Sequence, residues 1–395
     1  MTIAGIIAEY NPLHYGHSLL INQLKENCAD FVAVVMSGNF VQRGDAAILS
    51  KWARTKQALL CGADLVLELP LPWAVAGAER FAFGGVSILS ELGADIIGFG
   101  SECGNIDLLK QAEKALISPQ LKDAIRSFLD SGKTFAAARQ QAVCSLFGTE
   151  TASLLSEPNN ILGIEYLKAI ECLNSSLKPY TIKRVGSAHN DSESNNSTVS
   201  SAKIRSLVSA GKNFSDYMPK PAYHILKSEI ESGNAPANIL YLERGILAKL
   251  RTMERLDYSK LPDISEGLEN RVYEAVQKAK SLNELYQLIK SKRYTLARIR
   301  RIILSAYLGL NSDYCEGTPP YLRILGIGKG GTEILKSAKR NSKVPIISRH
   351  ADTAFLSIHA KKILELENRT TDLYSLCMPH SASCGLDNTN KIIVL

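Results

Sequence analysis

The sequence predicts an α/β protein in which a domain with a parallel sheet is followed by a mainly α-helical domain. Over the first 205 residues, short and wholly apolar runs alternate with longer segments of helical periodicity, which is typical of βα units. A turn that contains two histidines and a glycine follows the first of these runs. Beyond Asp216 the strand signals fade and helical patterns dominate.

The first half supplies five predicted strands and the helices between them. Each strand is apolar along its length, so we expect a Rossmann-like parallel sheet with helices on both faces. The strands are Ile3–Ala8, Phe31–Met36, Leu65–Leu69, Ile96–Phe99 and Thr181–Val185; the helices are His17–Asn27, Ser50–Gly62, Ala78–Leu92 and Ile161–Cys172. The polar segment HNDSESNNST (189–198) predicts a loop, and SSAKIRSLVSAG predicts a helix that begins at a serine cap and ends at Gly211.

The second half shows helical periodicity with few strand signals. The predicted helices are Tyr223–Ser232, Ile239–Arg251, Leu268–Lys280, Leu282–Ile289, Tyr294–Leu308 and Ala354–Glu365. We therefore predict two domains, 1–210 and 211–395, which is a reasonable division for a chain of 395 residues.

Composition excludes several classes of protein. The eight cysteines form no CxxC pair, which argues against a disulfide framework or a zinc ribbon and fits a reducing compartment. The N-terminus lacks the basic region of a signal peptide, and no apolar run is long enough to cross a bilayer. We therefore expect a cytoplasmic protein without membrane contacts, and nothing in the sequence predicts a protein partner.

The four residues HYGH after the first strand form the first candidate site. In a parallel sheet this turn lies at the carboxyl edge, where the N-terminus of a helix offers free N–H groups to phosphate. Two imidazoles three residues apart, His14 and His17, can stabilise charge on an α-phosphate as pyrophosphate leaves, while Gly16 permits close approach of a nucleotide. A metal-binding HxxH pair and two packed structural histidines remain as alternatives.

The segment SSAKIR (200–205) forms the second candidate site. Ser200, Ser201 and Arg205 at the N-terminus of a late helix can hold the β- and γ-phosphates of a triphosphate. A plain capped helix with a surface arginine is the alternative. The two motifs occur in order within one predicted α/β domain, which favours nucleotide chemistry.

Three further groups of polar residues allow two interpretations each. Ser37, Gly38, Asn39, Gln42 and Arg43 follow the second strand and could form a pocket for a small carboxylate, with Arg43 also a candidate RNA contact, or could be a polar loop. The Asn159–Asn160 pair could meet an adenine edge or cap a helix. Lys51 and Arg54 could reach phosphates, but a solvated helix face is the interpretation that we favour.

These motifs resemble the HxGH and SSTxIR nucleotidyltransferases and, among them, the bacterial tRNA(Met) cytidine acetate ligases. The resemblance rests on IIAEYNPLHYGH (6–17), VVMSGNFVQRG (34–44), GFGSE (98–102), PNNILGIEYLKA (158–169), IKRVGSAHND (182–191) and SSAKIR, and extends to RIRRIILSAYLGL (298–310) and PPYLRILGIGKGG (319–331). Ala202 departs from the threonine of SSTxIR, which concerns loop geometry and removes no charged group.

The resemblance implies an enzyme that activates acetate with ATP to acetyl-adenylate and transfers the acetyl group to N4 of the wobble cytidine of elongator tRNA(Met). Acetate is already an anion at neutral pH, with a pKa of ~4–5, so it needs no general base. His14 and His17 would be catalytic, Mg²⁺ would bridge the triphosphate, and no protein metal site is predicted. The implied ATP-binding residues, with those of the two motifs, are Ile7, Ala8, Glu9, Tyr10, Asn11, Pro12, Leu13, His14, Tyr15, Gly16, His17, Ser18, Leu19, Leu20, Gly100, Asn159, Arg184, Ser200, Ser201 and Arg205.

The positive charge of the chain lies in the second half. Lys and Arg minus Asp and Glu give −2 for residues 1–205 and +9 for 206–395, which together make the net +7. Two basic clusters, with Tyr294 and Tyr321 interleaved, favour contact with an RNA backbone over a merely solvated face. The candidate RNA-binding residues are Arg293, Arg298, Arg300, Arg301, Lys336, Lys339 and Arg340.

Two other functions stay open on this evidence. One is a small-metabolite nucleotidyltransferase, against which the large basic second half counts. The other is a non-catalytic RNA-binding protein of the same fold, against which the intact motifs count.

Overall fold

The computed structural model describes residues 1–184, 199–265 and 267–395, apart from the side chains of Ala136 and His350. It confirms the predicted fold class, an α/β protein with a mostly parallel sheet and much helix. Within the described residues the strands are β1 (Ile3–Ala8), β2 (Phe31–Ser37), β3 (Phe40–Val41), β4 (Asp45–Ala46), β5 (Leu65–Leu69), β6 (Ile96–Ser101), β7 (Lys178–Lys183), β8 (Leu322–Ile327), β9 (Ile346–Ile347) and β10 (Ile393–Val394).

One sheet organises the molecule. Its strand order is β10-β8-β5-β2-β1-β6-β7, with β9 also paired to β8, while β3 and β4 form a separate hairpin. Strand β1 lies parallel between β2 and β6, with Ile3 opposite Phe31 and Ala4 opposite Ile96. The chain first builds outward through β2 and β5 and then crosses to β6 and β7. The carboxyl ends of β1 and β6 therefore border the topological switch point, where ligands bind in open α/β sheets.

Helices cover the sheet and form most of the second half. In the described part of the chain they are α1 (Tyr15–Asn27), α2 (Lys51–Leu60), α3 (Leu71–Ala74), α4 (Ala78–Leu92), α5 (Ile106–Ile117), α6 (Pro119–Asp130), α7 (Phe135–Phe147), α8 (Thr149–Leu154), α9 (Pro158–Cys172), α10 (Ser201–Ser209), α11 (Lys220–Glu231), α12 (Glu243–Arg251), α13 (Arg255–Ser259), α14 (Leu268–Lys278), α15 (Leu282–Ile289), α16 (Leu296–Leu308), α17 (Gly331–Asn341), α18 (Ile358–Ser375) and α19 (Leu386–Thr389). Short 3₁₀ segments cover Ser215–Tyr217, Ile239–Leu242, Ser312–Cys315 and His350–Phe355.

The predicted elements of the first half agree with the structure to within a few residues. The predicted bounds of β1, β5 and α4 coincide with the observed ones, while β7 begins three residues earlier than predicted. Val185 and the predicted loop 189–198 lie outside the described residues. The four helices α5 to α8 fall in a segment in which no element was predicted.

The second half adds three strands to the sheet, although none was predicted there. Strand β8 joins the edge of β5 in antiparallel orientation, with Glu68 opposite Arg323, and β9 and β10 pair with β8. The run LRILGI is short, and its partner strand lies more than 250 residues earlier in the chain, so local sequence does not reveal the pairing. The boundary at 210 remains a prediction, but the second half contributes both strands and side chains such as Tyr321 and Leu322 to the core around the sheet.

The helical part of the second half has a core of its own. It is built from Leu250, Val272, Leu285, Ile302 and their neighbours, and it also takes in Phe40 and Ala46 of the hairpin. The hairpin that follows β2 is thereby fixed between the sheet and the helices. None of the helices in the described residues is both long and apolar enough to cross a membrane.

Candidate active site

The turn between β1 and α1 holds two stacked histidines. His14 is the N-cap of α1, and its Nδ1 accepts a hydrogen bond from the Gly16 N–H at 3.1 Å. Reciprocally, the Nδ1 of His17 accepts from the His14 N–H at 3.2 Å. The pair thus forms a capping box made of imidazoles, with ring centroids 3.8 Å apart and planes at 23°. The HxGH spacing is therefore explained first by local helix geometry.

This geometry fixes the chemical state of both imidazoles. Because each Nδ1 accepts a hydrogen bond, the proton of the neutral ring sits on Nε2, which is left to donate to a ligand. Burial, with a contribution from Arg184, lowers the pKa of His14 to about 4. Burial, followed by His14 and Arg184, lowers the pKa of His17 well below its usual value. Near neutral pH in the free protein, the pair is a neutral double donor.

Several buried polar atoms lie at this end of the sheet without a partner among the described residues. Tyr10 places its ring edge-on to His17 at 4.9 Å between centroids, and its backbone adopts a φ of +47°, which a tyrosine rarely does. In the described part of the chain, the Tyr10 hydroxyl, Gln42 Nε2 and Arg184 Nε are buried without a protein partner. Buried polar groups are normally hydrogen-bonded, so these atoms mark places where a polar ligand fits.

Arg184 and Gly100 lie together at the carboxyl ends of β6 and β7, and Glu102 joins Asn159 to the same end of β6. The Arg184 N–H donates to the Ser101 carbonyl at 2.9 Å, and its side chain lies over Gly100, where an added Cβ would be 3.1 Å from Arg184 Cγ. Asn159 Nδ2 donates to Glu102 Oε1 at 2.6 Å, and the other Glu102 oxygen accepts from the Asn160 N–H at 2.8 Å. Glu102 therefore caps α9 and ties it to the end of β6, while Asn159 holds this cap.

Side chains of the SSAKIR segment donate hydrogen bonds to backbone carbonyls of the histidine turn. Ser200 caps α10 by accepting from the Lys203 N–H. The Ser201 hydroxyl donates to the Pro12 carbonyl at 3.1 Å, and Arg205 Nη1 donates to the Asn11 carbonyl at 2.6 Å. The Asn11–Pro12 bond is cis. Ser201 and Arg205 thus hold the turn in place, and a phosphate role for them stays a prediction.

The predicted ATP segment divides into buried and accessible parts. The side chains of Ile7, Leu13 and Leu20 belong to the core, so only their backbone could meet a ligand. Tyr15 and Leu19 are exposed on α1, and Ser18 is half-buried. Glu9, at the end of β1, accepts from the Gln42 N–H at 2.8 Å, and its burial raises its pKa despite Arg43, Arg205 and Arg54 nearby.

Arg54 clamps the carboxyl ends of β1 and β2. Its guanidinium is wholly buried and donates to the Glu9 carbonyl at 2.7 Å and the Ser37 carbonyl at 2.9 Å, as well as to the Leu49 and Gly38 carbonyls. Burial lowers the pKa of this guanidinium to about 10. The interpretation of Arg54 as a solvated residue was wrong, because α2 turns this side chain towards the sheet edge rather than towards water.

The same correction applies to Lys51. It is 1% exposed, and its Nζ lies 2.8 Å from Glu68 and 2.6 Å from Asp387. Arg323 contacts the same two carboxylates at 3.2 and 3.0 Å and Glu367 at 3.3 Å. This buried network joins α2, β5, β8, α18 and α19. This network could not be recognised from the sequence, because Asp387 and Arg323 are distant from Lys51 along the chain and approach it only on folding.

The segment SGNFVQRG is held from several sides. Asn39 accepts from the Lys51 N–H and donates to Thr371, so its amide is used within the protein. Gly44 has a φ of +71° and packs against α16, where a Cβ would lie 2.5 Å from the Arg301 nitrogen, so only glycine fits. Ser37 Oγ is buried without a protein partner in the described residues. A carboxylate pocket here remains a prediction.

The two predicted basic clusters lie on opposite edges of the sheet. Arg301 donates to Asp263 at 2.8 Å and to the Gln42 carbonyl at 3.4 Å, which places the middle of α16 beside the carboxyl edge. Arg298 also contacts the Asp263 carbonyl, and Arg300 lies over the Tyr286 ring. In contrast, α17, which carries Lys336, Lys339 and Arg340, runs from Asp64 to Gly93 along the amino edge.

The two tyrosines predicted between the basic clusters are both buried, and they differ in their partners. Arg298 lies over the Tyr294 ring at 5.2 Å from its centroid, whereas the Tyr321 hydroxyl donates to Glu367 at 2.9 Å. Within the described residues, no group of three His, Cys, Asp or Glu side chains is arranged to hold a metal ion. The stacked imidazoles use their Nδ1 atoms within the turn, which does not suit a chelating HxxH pair.

Known proteins are similar to this chain over nearly its whole length. Residues 1–388 match the family described as HIGH Nucleotidyl Transferase. A tRNA(Met) cytidine acetate ligase of Thermoanaerobacter sp. (strain X514) is 38% identical over 404 residues, covering 100% of both chains. One from Caldicellulosiruptor saccharolyticus is 40% identical over 387 residues, covering 95% of this chain and 94% of the relative.

A solved structure shares the whole fold. The crystal structure of Thermotoga maritima TmcAL bound with alpha-thio ATP has a TM-score of 0.93 and 30% identity, with 100% of both chains covered. The family match and the full-length identities confirm the resemblance drawn from the motifs. This chain belongs to the HIGH nucleotidyltransferase family and, within it, to the tRNA(Met) cytidine acetate ligases.

Proposed function

We propose that this protein is an ATP-dependent ligase that activates acetate as acetyl-adenylate and acetylates N4 of the wobble cytidine of elongator tRNA(Met). The names of its relatives and the ATP analogue bound to Thermotoga TmcAL support the substrates. The observation that carries the proposal is the stacked pair of neutral histidines, with both Nε2–H groups left to donate, at the switch point of the sheet. Eight free cysteines fit action in the cytoplasm.

In the first step, a carboxylate oxygen of acetate attacks the α-phosphorus of ATP and pyrophosphate leaves. Acetate is an anion at neutral pH, so no base has to remove a proton. Charge develops on the phosphate oxygens, and the Nε2–H groups of His14 and His17 would stabilise it without ionising. In the second step, the cytidine amine attacks the acetyl carbon, AMP leaves, and the amine loses one proton.

Arginines would complete the phosphate site. Arg184 lies close enough to both imidazoles to lower their pKa values, and its Nε has no protein partner in the described residues. We infer that Arg184 binds phosphate, while Ser201 and Arg205 hold the turn. An Mg²⁺ ion would be held mainly by the triphosphate and by water, as this ion commonly is.

The test is acetate-dependent exchange of labelled pyrophosphate into ATP, first without tRNA and then with it. We expect exchange in the wild type and a loss of about 10²–10³-fold in His14→Ala and in His17→Ala, the scale for removing one donor to a developing oxyanion. His224→Ala, an exposed imidazole on α11, is the matched control. Detection of N4-acetylcytidine in the tRNA(Met) transcript then tests the second step.

Two results would contradict the proposal. Exchange that does not depend on acetate, or depends on another small substrate, would point to a small-metabolite nucleotidyltransferase. Absence of exchange in the wild type despite ATP binding would leave a non-catalytic RNA-binding protein.

A further inference from the structure

A cavity of about 250 Å³ lies at the edge of the sheet formed by β8, away from the histidines. Strand β8 pairs with β9 through Leu322 and Arg323 and with β10 through Gly326 and Ile327. Between these two short strands, Ile324 and Leu325 border the cavity, and α18 covers its other side. The cavity is thus a gap in an otherwise paired strand edge, closed over by a helix.

The floor of this cavity is apolar and includes one aromatic ring. Ile324, Leu325, Ile347, Leu364 and Ile392 contribute aliphatic surface, and Trp52 at the start of α2 contributes its indole. Lys51 Nζ lies 5.3 Å from the centre of the Trp52 ring. A flat aromatic group could pack on these side chains, because planar ring systems gain most from a rigid aromatic partner.

The rim of the cavity is cationic. Its exposed charged residues are Arg349, Lys361 and Lys391 against Glu365, whereas Arg323 and Asp387 line the cavity from the buried network. Asp387 is already paired with Lys51 and Arg323, and Arg349 pairs with Asp352. Lys361 and Lys391 are exposed and form no ion pair within the described residues. The apolar floor suits a planar base, and the two ammonium groups above it suit a phosphate. The cavity therefore matches a ligand that contains both, such as a nucleotide.

We propose that this cavity binds one unstacked nucleotide of the tRNA substrate, other than the nucleotide that is acetylated; this rests on the proposed function. Its volume lies just below the ~300–1,000 Å³ of ordinary ligand pockets, which suits a single nucleotide better than a duplex. Trp52 would stack on the base, and Lys361 and Lys391 would bind the flanking phosphates.

Two observations favour RNA over a free mononucleotide. Through Asp387 and Arg323 the cavity adjoins the buried network at the carboxyl edge, the same edge on which His14 and His17 lie. Beside it, Phe355 and Ile358 are 83% and 77% exposed, two and five residues beyond Thr353 of the cavity wall. Exposed apolar side chains next to a cationic rim suit a chain with further bases to stack.

Tryptophan fluorescence tests the site directly, since the chain has two tryptophans and Trp73 is fully buried. We expect tRNA(Met), added without ATP, to quench the wild-type emission and to leave the emission of Trp52→Phe unchanged. CMP is the mononucleotide probe. Quenching by CMP without quenching by tRNA would assign the cavity to free nucleotides and overturn the proposal, as would tRNA binding without any quenching.

A charge-reversal variant separates this site from the adenylation chemistry. In Lys361→Glu with Lys391→Glu, tRNA binding should weaken, and the slope of log K against log salt should fall by about 1.5, because two phosphate contacts at ~0.7 each are lost. Pyrophosphate exchange without tRNA should stay at the wild-type level, so a failure of the proposed function is recognised separately. Lys362→Glu, the exposed neighbour outside the cavity, is the control. An equal loss of tRNA affinity in both variants would contradict a specific site.

Discussion

At the scale of single residues, the chemistry of the site depends on which ring nitrogen of His14 and His17 carries the proton. Two Nδ1 atoms are occupied by backbone N–H groups, so both imidazoles present Nε2–H outward. Burial keeps them neutral, which makes them hydrogen-bond donors whose protons are not lost near neutral pH. Histidine serves here both as a helix cap, through Nδ1, and as a donor on the far side of the ring, through Nε2, a combination that an ionised aspartate could not supply because it only accepts.

The depressed pKa of His14 predicts a loss of stability in mild acid. The unfolded chain binds a proton below about pH 6.5, whereas the folded state resists it down to about pH 4, so stability falls as the pH drops through this window. Between pH 7 and 5 we expect His14 to account for a loss of about 2 kcal/mol in the free energy of unfolding. The His14→Asn variant keeps a cap but cannot titrate. In urea unfolding, its free energy of unfolding should therefore fall by about 2 kcal/mol less between pH 7 and 5 than that of the wild type.

Ser206→Ala, a change at an exposed residue that does not titrate, provides the comparison for this measurement. It should lose as much stability between pH 7 and 5 as the wild type does. Equal pH dependence of His14→Asn and the wild type would show that the His14 imidazole is not held neutral by its burial.

At the scale of elements, two helices position the histidine turn by binding its carbonyl groups. Helix α10 reaches the Asn11 and Pro12 carbonyls through Arg205 and Ser201. Helix α2 reaches the Glu9 carbonyl through Arg54. Charged donors to backbone carbonyls in a buried setting are each worth ~1.5–3 kcal/mol, so the turn between β1 and α1 is held from two sides.

Removing these contacts should impair adenylation while the histidines stay in place. We expect Arg205→Ala to lower kcat/KM for acetate-dependent exchange by about 10–100-fold and Ser201→Ala by about 5–10-fold, in proportion to a charged and a neutral hydrogen bond. Ser206→Ala, exposed on the same helix, should leave it unchanged. If Arg205→Lys restored full activity, a point charge near phosphate would explain Arg205 better than its bond to the Asn11 carbonyl.

At the scale of the whole molecule, most of the groups that we propose to bind nucleotide and RNA lie at the carboxyl edge of the sheet. The histidine turn, Arg184, the Gly44 loop and the middle of α16 all lie there. Helix α17 lies across the amino edge, where the Lys343 N–H contacts Glu91. An RNA that presents its wobble base to the histidines is therefore nearer to α16 than to α17.

This arrangement predicts unequal roles for the two basic clusters. Arg293→Glu with Arg300→Glu should weaken tRNA binding and reduce its salt dependence by about 1.5 in the slope of log K against log salt. Lys339→Glu with Arg340→Glu makes the same change in charge at the opposite edge and should leave the slope nearly unchanged. Equal effects would mean that the RNA wraps around the sheet, or that net charge alone governs its affinity.

The sequence by itself determined the local features of this protein. The apolar runs located the strands of the first half, and the spacing of HYGH and SSAKIR located the two turns that meet at the site. These features depend on neighbours within one helical turn or one strand, so their periodicity and capping residues are visible in a single sequence.

Only the tertiary structure decided the features that join distant parts of the chain. Lys51 and Arg54 looked like solvated residues and proved to be buried, because their partners come from β5, α19 and the ends of β1 and β2. Strand β8 was missed because its partner is β5, far earlier in the sequence, and the two basic clusters proved to lie on opposite edges. Long-range pairing and burial are set by the packing of the whole chain, which local pattern does not encode.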